Sequence, residues 1–356
     1  VFMLEHIKQL SIKNKVLVCC NEAYKLKKIV PRNVILVNIK FKRGISLFND
    51  FLAFVSILFF FLKKKPDLSI SFTPKVGLLV SLCSFISKTP HRIHWFTGQI
   101  WVKRRGVIKI FYKLIDKLIS FLSNDILIDS ISQKNFLIKE NIISKNKAIV
   151  LHKGSVGGVD IKKFKFNQIK RDRIRKQFLI SKKTFVFLYL GRINSDKGIE
   201  ELIRAFDSIK INNNIFLVFV GSIEETKFRK ILNYRKKILY IKPTNKPEEW
   251  FSMADILCLP SHREGFGTVV IEAAACGIPT LCSKIYGLSD AVIENKTGFF
   301  HKPNSIRDIK RKMIYVIKNT NLVKKYGIQA RKRVLKDFKK NLLTERLLKF
   351  VNSKKF

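Results

Sequence analysis

The sequence predicts an α/β protein with two doubly wound parallel sheets. Short apolar runs rich in Val, Ile and Phe alternate with helical patterns in both halves of the chain. Runs that are apolar on both faces are typical of parallel strands covered by helices on either side. The length of 356 residues exceeds one ordinary core, and 47% hydrophobic residues exclude global disorder. We therefore expect two folded domains.

The second half shows the alternation most clearly. The predicted helices are 198–210, a pattern reaching about Arg235, 247–254, and 268–277, which a glycine closes. The predicted strands are 184–191, 215–221, 238–241, 255–261 and 278–283. Together they predict one parallel sheet.

The first half repeats this pattern less regularly, and we expect a second doubly wound sheet there. Its predicted strands are 15–20, 33–39, 67–72, 91–96, 125–130 and 148–154. Residues 1–10 are already helix-like, and no Gly-rich turn after a first strand precedes them. We expect that first strand to be absent from the sequence.

Three domain segments follow from these patterns. Residues 1–160 form the N-terminal domain and 161–338 the C-terminal domain, joined through the glycine-containing hinge 154–164. Residues 339–356 read as a C-terminal helix that packs back on the N-terminal domain.

The net charge of +44 is extreme, but the lysines are spread over nearly every segment. Composition bias from AT-rich coding explains this distribution, and attraction to an anionic membrane surface is the second explanation. A nucleic-acid-binding protein more often concentrates its charge on one face or tail, so we expect no nucleic-acid partner. The six cysteines form no C-x-x-C pair and suggest buried thiols in a reducing compartment.

Two basic, apolar segments lie in the first half. The run 51–62 is too short to span a bilayer and is followed by three lysines, so a buried helix is favoured over a membrane-surface helix. Residues 101–113 interleave Trp, Arg and Lys with Ile and Phe. That mixture suits either a membrane interface or a core helix with a solvated edge.

The loop 191–198, with sequence GRINSDKG, follows a predicted strand and precedes a helix. Gly191 permits a tight turn, while Arg192 and Lys197 place two cations at a helix N-terminus that already favours anions. Phosphate is the natural ligand of such a loop, although solvated surface charge is the alternative.

The segment 261–279, SHREGFGTVVIEAAACGIP, places two acids around a glycine-rich turn. Gly265 and Gly267 allow backbone amides to approach a ligand, and the helix beginning at Thr268 offers its N-terminus to a diphosphate. Glu264 and Glu272 suit sugar hydroxyls, which donate hydrogen bonds to carboxylates.

These residues resemble the retaining glycosyltransferases of family 4, which have the GT-B fold of two facing Rossmann-like domains with an interdomain cleft. The matching segments span most of 150–305 in the family's order. They are GRINSDKG, FVGS, ADILCLPSHREGFGTVVIEAAACGIPTL, ENKTGFF and GGVDIKKF. HRIHWFTGQIW resembles members that build bacterial surface polysaccharides on a lipid carrier.

The resemblance implies a role for each matched residue. The catalytic candidates are Arg192, Lys197 and Glu264. Arg192 and Lys197 would bind the leaving diphosphate, and Glu264 would bind the donor sugar. The implied donor-binding residues are Gly191, Gly221, Gly265, Phe266, Gly267, Thr268 and Glu272, the last on the ribose.

The acceptor-side candidates are His6, Thr97 and Gly98. Many relatives carry a histidine where Thr97 and Gly98 stand, and His6 aligns with an acceptor-side histidine. We expect nearby His94 to be structural, because it falls within a strand.

The implied reaction moves a hexose-type sugar from a nucleoside-diphosphate sugar to a polyprenyl-linked saccharide with retention of configuration. The expected location is the cytoplasm, at the inner face of the plasma membrane. No cofactor or metal is required, because protein cations stabilise the departing phosphate. The alternatives are a nucleotide-sugar 2-epimerase, a glycan phosphorylase, a basic nucleic-acid-binding protein, or an inactive transferase fragment.

Overall fold

The computed structural model describes residues 3–41, 46–210, 214–232 and 236–354. It divides into two compact units. The first unit is Val1–Gly157 with Lys340–Phe356, and the second is Gly158–Lys339. The boundary expected at residue 160 lies three residues from the first of these, and the boundary expected at residue 338 lies one residue from the second.

The first 157 residues contain five helices and six strands among the described residues. In chain order they are α1 (Leu4–Leu10), β1 (Leu17–Cys20), β2 (Ile35–Asn38), α2 (Leu47–Lys64), β3 (Leu68–Phe72), α3 (Pro74–Ile86), β4 (His91–Phe96), α4 (Gly106–Leu122), β5 (Asp125–Ile128), α5 (Ile131–Lys139) and β6 (Ala148–Ile149).

The strands of the first unit form two parallel sheets in the described residues. One sheet has the order β3-β4-β5-β6, and the other pairs β1 with β2. Of the six strands that we expected in a second doubly wound sheet, four form one sheet. Strands β1 and β2 are at most half-buried and, among the described residues, pair with each other instead. Strand β6 is also shorter than expected, since a turn with His152 in the left-handed region follows it.

The second unit contains a six-stranded parallel sheet. Its elements are α6 (Gln168–Gln177), β7 (Phe185–Leu190), α7 (Ile199–Asp207), β8 (Ile215–Val220), α8 (Lys227–Leu232), β9 (Ile238–Ile241), α9 (Pro247–Met253), β10 (Ile256–Leu259), α10 (Thr268–Ala275), β11 (Thr280–Ser283), α11 (Leu288–Ala291), β12 (Gly298–His301), α12 (Ile306–Lys318) and α13 (Thr320–Asp337). The predicted helix that reached Arg235 ends on 233–235, which lie outside the described residues.

The strand order is β12-β11-β10-β7-β8-β9. The chain therefore builds outward from β7 to β9, returns, and builds from β10 to β12 on the other side. The order reverses between β7 and β10, and ligands of open α/β sheets bind at the carboxyl ends of the strands at such a point. The sheet core is mostly apolar, with Phe187, Leu217 and Leu257 fully buried.

The last helix, α14 (Lys340–Asn352), belongs to the first unit. Its Leu347 and Val351 pack in one buried cluster with Ile93, Trp95 and Leu127 of the four-stranded sheet. The C-terminal segment thus completes the core of the N-terminal unit.

Helix α2 is buried on one side only. Ala53, Ile57 and Phe61 lie in a buried cluster, whereas Phe51 and Phe59 are exposed. The expectation of a buried helix over 51–62 is therefore correct for one face alone. Among the described residues no helix is both long and apolar enough to cross a membrane.

All six cysteines are free thiols. Cys83, Cys258, Cys276 and Cys282 are buried, as expected, while Cys19 and Cys20 are only half-buried. Burial raises the pKa of the Cys19 thiol to about 11.

Candidate active site

Lys197 and Glu264 meet at the point where the strand order reverses. Lys197 follows β7 and Glu264 follows β10, and these strands are neighbours in the sheet. Lys197 Nζ donates to Glu264 Oε1 at 2.5 Å, with side chains 17% and 15% exposed. The two segments identified in the sequence thus contribute a cation and an acid to one place.

The loop 191–198 has a tightly specified backbone. Gly191 N–H donates to Val220 O, and Ile193 N–H donates to Ser222 O, so the loop runs alongside the segment that follows β8. A Cβ on Gly221 would lie 1.8 Å from Gly191 O. Glycine is therefore required at 221 for the two loops to approach each other.

The same loop is joined to the segment after β10. Gly198 has φ +67°, and a Cβ there would lie 2.2 Å from Pro260 O. Arg263 Nε donates to Asp196 Oδ2 at 2.9 Å, and His262 N–H donates to Asp196 O at 3.0 Å. These contacts hold Lys197 next to Glu264.

Arg192 lies at the outer part of this site, with its side chain 55% exposed. Its Nη1 donates to both carboxylate oxygens of Glu224 at 3.3 Å, and Tyr189 Oη donates to its carbonyl at 2.6 Å. The guanidinium is therefore oriented while remaining accessible to an anion.

Sequence reasoning missed Glu224 and Glu225, the two acids that orient the cationic loop. Asn194 Nδ2 donates to Glu224 at 2.7 Å. Ser195 donates to Glu225 through its N–H at 2.7 Å and its hydroxyl at 2.6 Å. The available signal was a pair of adjacent acids that follows β8 and its FVGS motif (219–222).

In the glycine-rich turn before α10, one side chain is buried in the core, while the backbone can contact a ligand. Phe266 is buried and packs on Phe338 with ring centroids 5.3 Å apart. Its side chain is therefore structural, and only its backbone is available to a ligand. Gly267 has φ +84° and caps the helix that begins at Thr268. The first amides of α10 accordingly face the carboxyl ends of the strands.

Glu272 lies in the second turn of α10 and is half-buried. Burial raises the pKa of its carboxyl to about 7, and the positive charge of Lys163 acts in the opposite direction. A carboxyl in this condition exchanges its proton near neutral pH and can accept hydrogen bonds once ionised.

The acceptor-side candidates lie in the other unit. Thr97 and Gly98 follow β4, at the carboxyl end of its strand. His6 is buried, its Nε2 donates to Val156 O at 2.7 Å, and its Nδ1 accepts from Thr344 Oγ1 at 2.8 Å. Both ring nitrogens are occupied, so the assignment of His6 to the acceptor side was wrong. It joins α1 to α14.

His94 is structural, as expected. It is buried, and its Nδ1 lies 2.8 Å from Ser71 Oγ. Burial lowers the pKa of the imidazole to about 3, which keeps it neutral. No group of three or more His, Cys, Asp and Glu side chains suited to a metal ion occurs in the described ranges.

The model of a protein family described as Glycosyl transferases group 1 matches residues 170–333, which include Lys197 and Glu264. The chain is also 32% identical over 322 residues to the capsular polysaccharide biosynthesis glycosyltransferase CapM of Staphylococcus aureus. That alignment covers 88% of this chain and 84% of CapM. This chain is a group 1 glycosyltransferase.

Two further proteins are similar to this chain, one in sequence and one in fold. One is the UDP-Gal:alpha-D-GlcNAc-diphosphoundecaprenol alpha-1,3-galactosyltransferase of Escherichia coli, 26% identical over 275 residues, with 74% of this chain and 70% of that protein covered. The crystal structure of Anabaena HepE with UDP and glucose shares the fold, with TM-score 0.79 and 17% identity over 99% of this chain and 95% of that one. The predicted transferase activity and GT-B type of α/β fold are confirmed, and the family that the comparisons show is that of the group 1 glycosyltransferases.

Proposed function

We propose that this group 1 glycosyltransferase moves a hexose-type sugar, with retention, from a nucleoside-diphosphate sugar to a polyprenyl-linked saccharide during surface polysaccharide synthesis. The Lys197–Glu264 pair carries the proposal, because it presents a phosphate-binding cation and a hydroxyl-binding acid within one hydrogen bond of each other. The name of the Escherichia coli relative, which includes diphosphoundecaprenol, supports the acceptor class, and the name of CapM supports polysaccharide synthesis.

The donor would lie along the carboxyl ends of β7 and β10. Arg192 and Lys197 bind its diphosphate together with the backbone amides of Gly265, Gly267 and Thr268. The glycines at 191 and 221 keep this surface free of side chains. Glu264 accepts from hydroxyls of the transferred sugar and Glu272 from those of the ribose.

The chemical step is charge separation at the anomeric carbon. The bond from C1 to the diphosphate oxygen breaks with its electron pair on that oxygen, and the sugar becomes oxocarbenium-like. The acceptor hydroxyl attacks the same face, its proton passing to the departing phosphate oxygen. Arg192, Lys197 and the N-terminus of α10 stabilise the developing anion, so the step requires no cofactor or metal.

The acceptor belongs to the other unit in this proposal, with Thr97 and Gly98 on its side. A polyprenyl carrier confines the saccharide to a bilayer, so the enzyme works at the cytoplasmic face of the plasma membrane. The high positive charge favours that location, since anionic lipids attract each nearby Lys or Arg by about 1 kcal/mol.

The proposal predicts that Lys197→Ala lowers kcat by about 10²–10³-fold while changing donor affinity less, because the cation acts mainly on the developing charge. The measurement is transfer from UDP-, GDP- and TDP-sugars, after a thermal-shift screen selects the donor. Lys183→Ala, at an exposed lysine of the same unit, is the matched control. Near-normal turnover in Lys197→Ala would remove Lys197 from catalysis.

Product analysis tests the reaction class and its stereochemistry. We expect the anomeric configuration of the product to match that of the donor sugar in the NMR spectrum. Incubation of donor without acceptor should leave the sugar's C2 configuration unchanged. An epimerised sugar would contradict transfer and support the 2-epimerase alternative.

A further inference from the structure

Helix α4 carries apolar side chains on its outer side as well as on its core side. Val107 is 81% exposed and Phe121 is 74% exposed. Most of the exposed apolar residues recur every three or four positions, which places them on one side of the helix, and Ile108 lies at the edge of that side. We call them the α4 stripe: Val107, Ile110, Phe111, Leu114, Leu118 and Phe121.

The charges around the α4 stripe are of one sign. Arg104 and Arg105 immediately precede the helix, Lys117 flanks the stripe, and all three are exposed. The helix has one acid, Asp116, which is buried and accepts a hydrogen bond from Trp101 Nε1 at 2.7 Å. The exposed face therefore combines apolar and aromatic groups with cations alone.

Helix α2 shows the same arrangement. Its exposed apolar residues have the same spacing as the α4 stripe: Phe48, Phe51, Leu52, Val55, Phe59 and Leu62. Its C-terminal end carries Lys63 and Lys64, and its one acid, Asp50, pairs with Lys75. Helix α3 packs against both α2 and α4, so the two stripes belong to one helical layer.

We infer that the α4 stripe, assisted by that of α2, lies in the surface of an anionic phospholipid bilayer. An in-plane helix buries its apolar side among acyl chains while its cations meet anionic headgroups. A second copy of this chain fits less well, because pairing two such faces brings cations of like sign together. The inference deepens the proposed function, since it names the surface that brings the enzyme to a lipid-linked acceptor.

Flotation with lipid vesicles tests the inference without donor or acceptor. We expect the full chain to float with vesicles of phosphatidylcholine and phosphatidylglycerol at roughly three to one, and weakly with phosphatidylcholine alone. Phe111→Ser with Phe121→Ser should lower the partition coefficient about tenfold or more, because two exposed rings leave the acyl region. Arg104→Gln, Arg105→Gln and Lys117→Gln together should lower it on the order of a hundredfold, on anionic vesicles only.

The matched control is Ile169→Ser with Ile328→Ser, at exposed apolar positions of the second unit. It should bind vesicles like the unchanged chain. Equal binding by the Phe111/Phe121 variant, or no binding by the unchanged chain, would overturn the inference. Light scattering tests the alternative partner. If the unchanged chain is a dimer and the Phe111/Phe121 variant is a monomer, the inference is overturned in favour of a second copy.

The two proposals fail separately. Binding of UDP reports on the second unit alone, and transfer to a water-soluble saccharide needs no bilayer. Both are expected to be unchanged in the Phe111/Phe121 variant. Loss of vesicle binding with retained donor binding is the expected result. If the unchanged chain does not bind the donor, the proposed function is contradicted, whereas the flotation result still stands.

Discussion

Glu272 is a residue whose ionisation matters within the physiological range. Burial raises its pKa from 4.5 to about 7, and this half-buried carboxyl sits one helical turn beyond the amides of α10. The folded protein holds the proton more tightly than the unfolded chain does. Its contribution to the free energy of unfolding is therefore fully present below about pH 4.5 and is lost as the pH rises to about 7.

The opposite trend is expected for donor binding, because hydroxyls donate to the ionised form. Affinity for UDP in the unchanged chain should rise as pH passes through about 7, by up to about tenfold per unit below the pKa. Glu272→Gln should bind more weakly at high pH and lose this dependence. Calorimetric titration at several pH values measures it, with Glu294→Gln at an exposed acid as control. An unchanged pH profile in Glu272→Gln would contradict a ribose contact.

Site residues could be predicted from the sequence where a charged side chain lies in the loop that follows an apolar strand. Lys197 and Glu264 stand beside glycines in loops after apolar runs, and the structure joins them. Glu224 escaped notice because its importance comes from a loop pairing that sequence spacing does not show. His6 was misassigned because the burial created by α1 and α14 is a tertiary property.

At the scale of elements, the strands of the second unit were the most predictable. Strands β7, β8, β10 and β11 all lie within the predicted ranges, because strands buried on both faces are made largely of apolar residues. Strand β12 was missed, since it is only four residues long, begins with glycine and ends with histidine. The two-sheet division of the first unit depends on strand partners, which a run of apolar residues does not specify.

The junction between the loops after β7 and β8 gives a prediction at this scale. Gly221→Ala should destabilise the second unit strongly and weaken UDP binding, because its Cβ would overlap Gly191 O. Gly277→Ala is the control, since Gly277 also has positive φ but open space around its Cβ. The control should cost about 1–2 kcal/mol from backbone strain alone. Urea denaturation measures the free energy of unfolding of both variants. Equal losses of stability would show that the close approach of residue 221 to Gly191 O is unimportant.

At the scale of the whole molecule, the chain leaves and re-enters the first unit. Leu347 of α14 is buried among residues of the four-stranded sheet, whereas Val334 of α13 is buried in the core of the second unit. Positions only 13 residues apart in the numbering thus support different cores.

Leu347→Ala should therefore destabilise the first unit by about 2–5 kcal/mol and leave the second unit unaffected. Hydrogen exchange should accelerate in β3, β4 and β5 and stay slow in β7 and β8, with UDP affinity retained. Val334→Ala should give the reverse pattern. Faster exchange of both units in either variant would show that their cores are not independent.

The Lys197–Glu264 ion pair has a consequence for the ligands that this site favours. An anion that captures Lys197 deprives Glu264 of its counterion and leaves a partly shielded negative charge facing it. Inorganic phosphate binds Lys197 but offers Glu264 no hydrogen-bond donor. A sugar phosphate can bind Lys197 through its phosphate and donate a hydroxyl to Glu264 at the same time. Under the proposed function, we therefore expect the pair to favour a nucleoside-diphosphate sugar, whose sugar hydroxyls reach Glu264, over the nucleoside diphosphate product that lacks this sugar.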